Sequence, residues 1–480
     1  MKKFLSILVL FLAMFMFVAC GKEENDDKNN GVINPNDVVF EVNKEEVNKE
    51  VKLTETGKQS LSAALVAIGC PENEVSANVE MLVPMIEMAR LSDEKVVEIA
   101  AIVTENKALL EKLMELVDGK EKAEELYPMA LEASEEEEAL PITAAEIKQL
   151  VKAVKDLLNV IGDDALGLFI YNYTELLKTQ GAQAMPFEIS LEVYVAESRM
   201  IMLILKSVVA SISDADIDEV YSMMSGPQTD EAMARLVQIV KDTVNAINFD
   251  DSVWEKYFAV VNSEMKKIFS DPTFVAMIEG LLAEEGANKM TSLVLEATLE
   301  MYEQVGKLTP AMIQYMVNVL DEVDAEFIGL TGTDTYVQWD KDYINGTESA
   351  KYYIDGKEVT EEAYNEQIGK MNKAGAELFY NAYKKLDKKD QDSALESIES
   401  YIVTLEEATV ELFKQEMPGE NMENYKYKGE AATLDEVFAE LDKVIAKDVI
   451  TEDDFMPVLE KLLGYVGSKA PLLVGTFMQE

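Results

Sequence analysis

"TAAEIKQLVKAVKDLLNVI", residues 143–161, is the stretch whose reading decides the fold. Thr143 and Glu146 stand ahead of an apolar run at the spacing of a capping box, in which each side chain satisfies the other's free backbone N–H. Ile142 and Ile147 flank the box where a hydrophobic staple would form. Ile147, Leu150, Val151, Val154, Leu157, Leu158 and Ile161 then recur in steps that place them on one helical face. The segment predicts an amphipathic helix with a defined start.

The pattern returns at residues 229–247, "TDEAMARLVQIVKDTVNAI". Shared apolar positions prove little, because any two capped amphipathic helices have them. Lys155-Asp156, however, recurs as Lys241-Asp242, and Asn159 as Asn245, at positions the pattern leaves to solvent. Both copies run into an acidic pair, Asp163-Asp164 and Asp250-Asp251, which opens a second helix. "TPAMIQYMVNVL" from Thr309 is a weaker third copy. Helix pairs are expected near Thr143, Pro186, Thr229, Asp271 and Thr309, steps of roughly 40 residues, in the range of HEAT-type repeats. No diagnostic motif separates a solenoid from a compact bundle.

Other starts are marked by Ser92, Ser213 and Thr229 before acidic first turns, and by Asp271-Pro272 and Thr309-Pro310. Residues 189–212, "ISLEVYVAESRMIMLILKSVVASI", are apolar nearly all round, with Glu192, Arg199 and Lys206 as one polar stripe. Such a segment reads as a central helix packed on most sides. Glu197 lies off that stripe by about 140°, taking the helical turn per residue, beside Ile201, Ile204 and Val208. It is a candidate buried acid. Either its pKa is raised and it is functional, or it is buried and paired with a cation or hydroxyl as a structural group; the second is the expectation.

After Ile328 the texture changes. Asn345-Gly346 and Asp355-Gly356 are hairpin turns between short alternating runs, so a small β element is expected near 333–359. "VVFEVN" (38–43) reads as a further strand. Thr360 caps a following helix, and Thr433 and Glu436 form another capping box. The fold class is mainly α, a helical-repeat or multi-helix bundle array with an inserted β-hairpin element. The expected organisation is a signal peptide (1–19), an acidic tether (20–37), a helical domain with duplicated pairs (38–328), the β element (329–360) and a C-terminal helical region (361–480).

Composition narrows the function. The chain has 480 residues, 48% hydrophobic, with 43 basic against 91 acidic residues and a net charge of −48. A field of that sign repels nucleic acid and favours a protein partner with a basic surface, or weakly held divalent cations. There is no histidine, which removes Ser-His-Asp and Cys-His nucleophilic systems and histidine-bearing zinc sites. Cys20 and Cys70 are the two cysteines. Cys70, before Pro71 at a helix end, reads as a small buried residue. No cofactor is implied.

"DKDYING" (340–346) has Gly346 seventh rather than sixth, and "DADIDE" (214–219) has Glu219 where glycine is required, so neither is an EF-hand loop. The 25 methionines, Met200, Met202, Met223 and Met224 among them, read as core filler, with an adaptable binding groove as the lesser reading.

The N-terminus fixes location. Lys2 and Lys3 precede an unbroken apolar or small stretch from Phe4 to Ala19, too short for a comfortable transmembrane helix. Phe17-Val18-Ala19-Cys20 resembles the lipobox of bacterial lipoproteins, with Phe17 in place of the usual Leu. The resemblance implies cleavage before Cys20, acylation of its sulfur, and a membrane-held mature chain. The acidic run after Cys20 is similar to the surface-export signal of Bacteroidetes-type lipoproteins. Separately, "YYIDGKEVTEEAYNEQIGKM" (352–371) resembles the strand–turn–helix of parvulin-type foldases and SurA-like chaperones, although the family's histidines are missing. The sequence therefore points to a lipid-anchored envelope protein that binds other macromolecules without catalysis. The alternatives are a carboxylate-based hydrolase in a helical toroid and a periplasmic or extracellular chaperone.

Overall fold

Local capping chemistry sets most of the backbone. The computed structural model describes residues 34–113, 142–180, 189–224, 230–282, 287–342 and 347–478; they are mainly helical, with one small antiparallel sheet. The lipobox, Thr229 and the Asn345-Gly346 turn lie outside the described residues.

Contacts divide the chain into two units between Phe274 and Val275. The first unit holds α1 (Glu55–Ala67), α2 (Glu72–Met88), α3 (Asp93–Glu105), α4 (Ala144–Ile161), α5 (Ala165–Thr179), α6 (Leu191–Ser211), α7 (Asp214–Met224), α8 (Asp230–Ala246) and α9 (Asp251–Phe269). Thr143 and Glu146 form the expected capping box on α4. Lys112 also pairs with Glu146 at 2.7 Å. That cation, joined by the N–H of Thr143, holds the Glu146 carboxyl down to about 2. Ser213 and Asp216 cap α7 reciprocally, and the fully buried Asp216 also pairs with Arg235 at 3.1 Å.

α6 is the central helix that its sequence implies. α4, α5, α8 and α9 all pack against it, and Val193, Val195, Ala196 and Leu203 along it are almost fully buried. At Gly167 of α5 an added Cβ would sit 2.1 Å from the Tyr194 carbonyl oxygen, so here α5 and α6 meet backbone to backbone. The two halves of the sequence repeat, α4–α5 and α8–α9, therefore share one partner. The recurrence of Lys155 needs correcting: its position is not solvated. Lys155 is half-buried and its Nζ donates to the Ile212 carbonyl at 3.1 Å, closing the C-terminal end of α6. Burial lowers its pKa.

Residues 38–43 are not a strand. They form an extended strap, irregular by hydrogen bonding, that lies against both α6 and α9. Phe40 is 2% exposed and meets the Tyr257 ring edge-on. Arg199 Nη1 donates to the carbonyls of Val39 and Glu41, and Lys256 Nζ to that of Asn36. Arg199 thus meets two of the strap's carbonyls where a neighbouring strand would otherwise do so.

The second unit holds α11 (Ala287–Glu322), preceded by α10 (Pro272–Leu282), which straddles the division, and followed by α12 (Ala325–Thr331). Next come β1 (Thr335–Asp342), β2 (Thr347–Ile354) and β3 (Lys357–Val359), then α13 (Glu361–Lys384), α14 (Lys388–Glu416), α15 (Leu434–Ile445), α16 (Met456–Lys469) and α17 (Pro471–Phe477). The strands pair antiparallel in the order β1-β2-β3. Asp355 and Gly356 both take positive φ, 49° and 70°, as a two-residue hairpin turn requires.

Thr309-Pro310 does not start a helix. Pro310 lies inside α11, which packs on α13 and α14 along its length. The proline removes one backbone bond, and apolar packing on both sides of it carries the helix through. Because α11 packs within the second unit, the division by contacts comes well before the change of composition at 328.

Candidate functional site

Among the described residues, a concave apolar surface is built on α13. Thr360 accepts from the Ala363 N–H and starts the helix. Met371, Gly375 and Phe379 then follow at four-residue steps, with Ala376, Tyr380 and Tyr383 beside them, so one face carries aromatics around a notch of small residues. The facing wall is α15 with the 3-10 turn Glu452–Phe455. Between them lies a groove of about 650 Å³, lined by apolar groups except Asn372 and Glu452. That volume suits a small ligand or a few side chains of a larger one.

The groove is rigid where it is aromatic. Phe438 of α15 stacks on Tyr383 (centroids 5.4 Å, 12° between planes) and lies 6.5 Å from the Tyr380 ring. Tyr380 donates to Asp442 Oδ1 at 2.8 Å, Lys384 Nζ reaches the same oxygen at 2.9 Å, and that ammonium sits 4.1 Å from the Tyr380 ring centre. Lys384 lowers the Asp442 carboxyl, and burial followed by Asp442 raises the Tyr380 phenol. Phe379 breaks the pattern. It lines the same groove and is 55% exposed.

On the other side of α13 is a polar cleft of about 430 Å³ that includes Glu322, Asp324, Lys370, Lys373 and Glu377. Its charges are largely engaged. Lys373 pairs with Glu377 and donates to the Ile445 carbonyl, Lys370 pairs with Glu366, Lys385 with Glu322, and Asp324 caps Phe327. Among the described residues no three His, Cys, Asp or Glu side chains are grouped to hold a metal ion.

Cys20, the candidate lipid attachment site, lies outside the described residues. Glu197 is half-buried on α6, and burial raises its carboxyl. The expected pairing is not there: no cation or hydroxyl among the described residues bonds to it. Each charged residue of the α6 polar stripe has an ion-pair partner. Glu192 pairs with Lys44 (2.7 Å), Lys206 with Asp163 (2.6 Å), and Arg199 grips Asp164 with two nitrogens (2.6 and 3.0 Å). Cys70 is a free thiol against Leu65 and Val75, receiving a bond from Asn78. Met200 and Met202 are core, whereas Met301, Met312 and Met316 are exposed along α11.

The α13 groove was not read from the sequence. Its signal was there in "MNKAGAELFYNAYK" (371–384), where three aromatics share a helical face with Gly375 and Ala376. Compared with known protein families, curated proteins and solved structures, the chain matches none. No helix among the described residues is long and apolar enough to cross a membrane.

Proposed function

We propose that this is a bacterial lipoprotein, held through acylated Cys20 at the cell membrane or outer membrane and facing the periplasm or the exterior. Its work is to bind another macromolecule, as a non-catalytic module or scaffold. The observation that supports binding is the open aromatic groove on α13, where Phe379 keeps more than half its surface in water. Exposed aromatics bordering a preformed apolar notch are the usual anchors of protein interfaces. The strong negative charge adds preference for a partner with a basic surface.

Anchoring rests on the lipobox-like tetrapeptide. Each buried methylene contributes about 0.8 kcal/mol, so one acyl chain holds only marginally and two or three hold firmly. Labelled palmitate should enter the wild-type protein and not Cys20→Ala; equal labelling, or a soluble wild type with an unmodified N-terminus, refutes the anchor. A photo-reactive amino acid at Phe379, activated in intact cells, should give a discrete cross-linked macromolecule. The same probe on the exposed face of α4, at Lys152, should give none. Equal patterns from both would refute the groove as the binding surface.

A further inference from the structure

The reading of the α13 groove as a binding site leaves open what fills it. We infer that its occupant is an amphipathic α-helix of a partner protein, apolar on one face and flanked by lysine or arginine. The inference rests on that reading and adds the class of partner.

Shape supports a helix first. From Met371 to Tyr383 the lined face of α13 runs about 18 Å, three helical turns at ordinary rise. Gly375 and Ala376 form a notch in that face, with Met371 before it and Phe379 after it. An apolar side chain entering there meets aromatic walls, and its neighbours one turn either way meet Met371 and Phe379. This is the spacing by which helices seat in grooves.

Backbone chemistry disfavours an extended occupant. The strap in the first unit shows what an extended segment needs, since Arg199 meets the carbonyls of Val39 and Glu41. Along the α13 groove most side-chain donors already have partners, the Tyr383 hydroxyl excepted. Asn372 bonds to the Ile450 carbonyl, Tyr380 to Asp442, and Lys384 to Asp442. A strand laid on this floor would bury carbonyls and N–H groups without partners, whereas a helix satisfies its own.

Charge supplies the sign. From Leu434 to Phe455, the facing wall, eight acidic residues stand against two lysines, and Glu452 itself lines the groove. A helix flanked by acidic residues would meet like charge along that rim, and one flanked by basic residues would be drawn to it.

Gly375 allows a clean test. A Cβ added there meets nothing within 4 Å, so Gly375→Phe fills the notch without disturbing the core and improves helix propensity. Residues 20–480 with Cys20→Ala retain every described residue and need no detergent. The probe is a fluorescein-labelled peptide of about 18 residues, helical, with Leu and Phe on one face and Lys on the others. Fluorescence anisotropy should show binding that weakens by about tenfold or more with Gly375→Phe and hardly changes with Gly375→Ala. A peptide with Glu in place of Lys should bind about tenfold more weakly or worse, and so should one with its apolar face replaced by Gln. Unchanged affinity with Gly375→Phe, or equal affinity of the Gln-faced peptide, would place the probe on the general acidic surface and overturn the inference. If the cellular cross-link at Phe379 joins a partner segment that is neither helical nor basic, the inference fails and the binding reading survives. If Phe379 gives no cross-link, the binding reading fails with it.

Discussion

Two grooves run beside long helices of this protein, and they differ in what they contain. The first, between α6 and α9, is filled by the chain's own strap, residues 38–43: Phe40 is buried there, Arg199 holds two of its carbonyls, and Lys256 holds that of Asn36 just ahead of it. The second, between α13 and α15, has comparable aromatic walls and no described segment of the chain lying in it. In the first, polar donors stand ready to take an extended backbone. In the second, Asn372 and Tyr380 are turned inward onto Ile450 and Asp442, which leaves few donors facing the groove. A groove made to be filled by its own chain is equipped to satisfy that chain, and one left open with few donors facing it suits an occupant needing no such help.

The largest test of this contrast is to remove the two aromatic residues that define the grooves. Phe40→Ala should cost about 3–5 kcal/mol, the range for emptying a buried phenylalanine site. Urea unfolding followed through Trp254, in a Trp339→Phe background, would report it. Phe379→Ala should change stability by no more than about 0.5 kcal/mol, while abolishing binding of the basic helical peptide. Similar losses from both would erase the distinction between a filled and an open groove.

An intermediate effect should follow Arg199→Ala. It leaves Asp164 without its two-nitrogen partner and frees two strap carbonyls, a loss of about 1–3 kcal/mol. Limited proteolysis should then cut within residues 34–47 well before the rest of the first unit. If the strap stays protected, Phe40 alone holds it.

The smallest effect concerns Glu197. Burial raises its folded-state pKa, so the ionised form is disfavoured in the folded protein. Stability is greatest below the unfolded glutamate pKa and is lost as pH rises through the raised value. Glu197→Gln should therefore stabilise the first unit modestly at neutral pH, with the gain vanishing in acid. A gain that persists unchanged at pH values below the ordinary glutamate range would have to come from packing.

Helix starts were the most legible part of the sequence, because a cap is decided by residues no more than three apart: Thr143 with Glu146, Thr433 with Glu436, and Asp271, ahead of Pro272, with the N–H groups of Thr273 and Phe274. The central position of α6 was legible for a similar reason, since a helix apolar nearly all round has few other places to go. The strap was not. "VVFEVN" alternates like a strand, and only Arg199, 160 positions from Val39, shows where its carbonyls go. Thr309-Pro310 failed because packing on α13 and α14 outweighs the local stop signal. The groove was missed because its notch is made by the absence of side chains at Gly375 and Ala376, and its other wall comes some sixty residues later.

The strap also has a mechanical side. A pull on the chain ahead of Asn34 reaches the folded body first through the turn at 35–37 and the strap at 38–43, which are held against α6 and α9. Tension directed along α6 and α9 shears the Asn36, Val39 and Glu41 contacts together, with the Phe40 ring behaving as a peg in its socket. Tension directed away from the surface peels them one at a time, beginning with Lys256 and Asn36. The direction of load, more than its size, would decide whether the first unit keeps its own segment or gives up the groove that the segment fills.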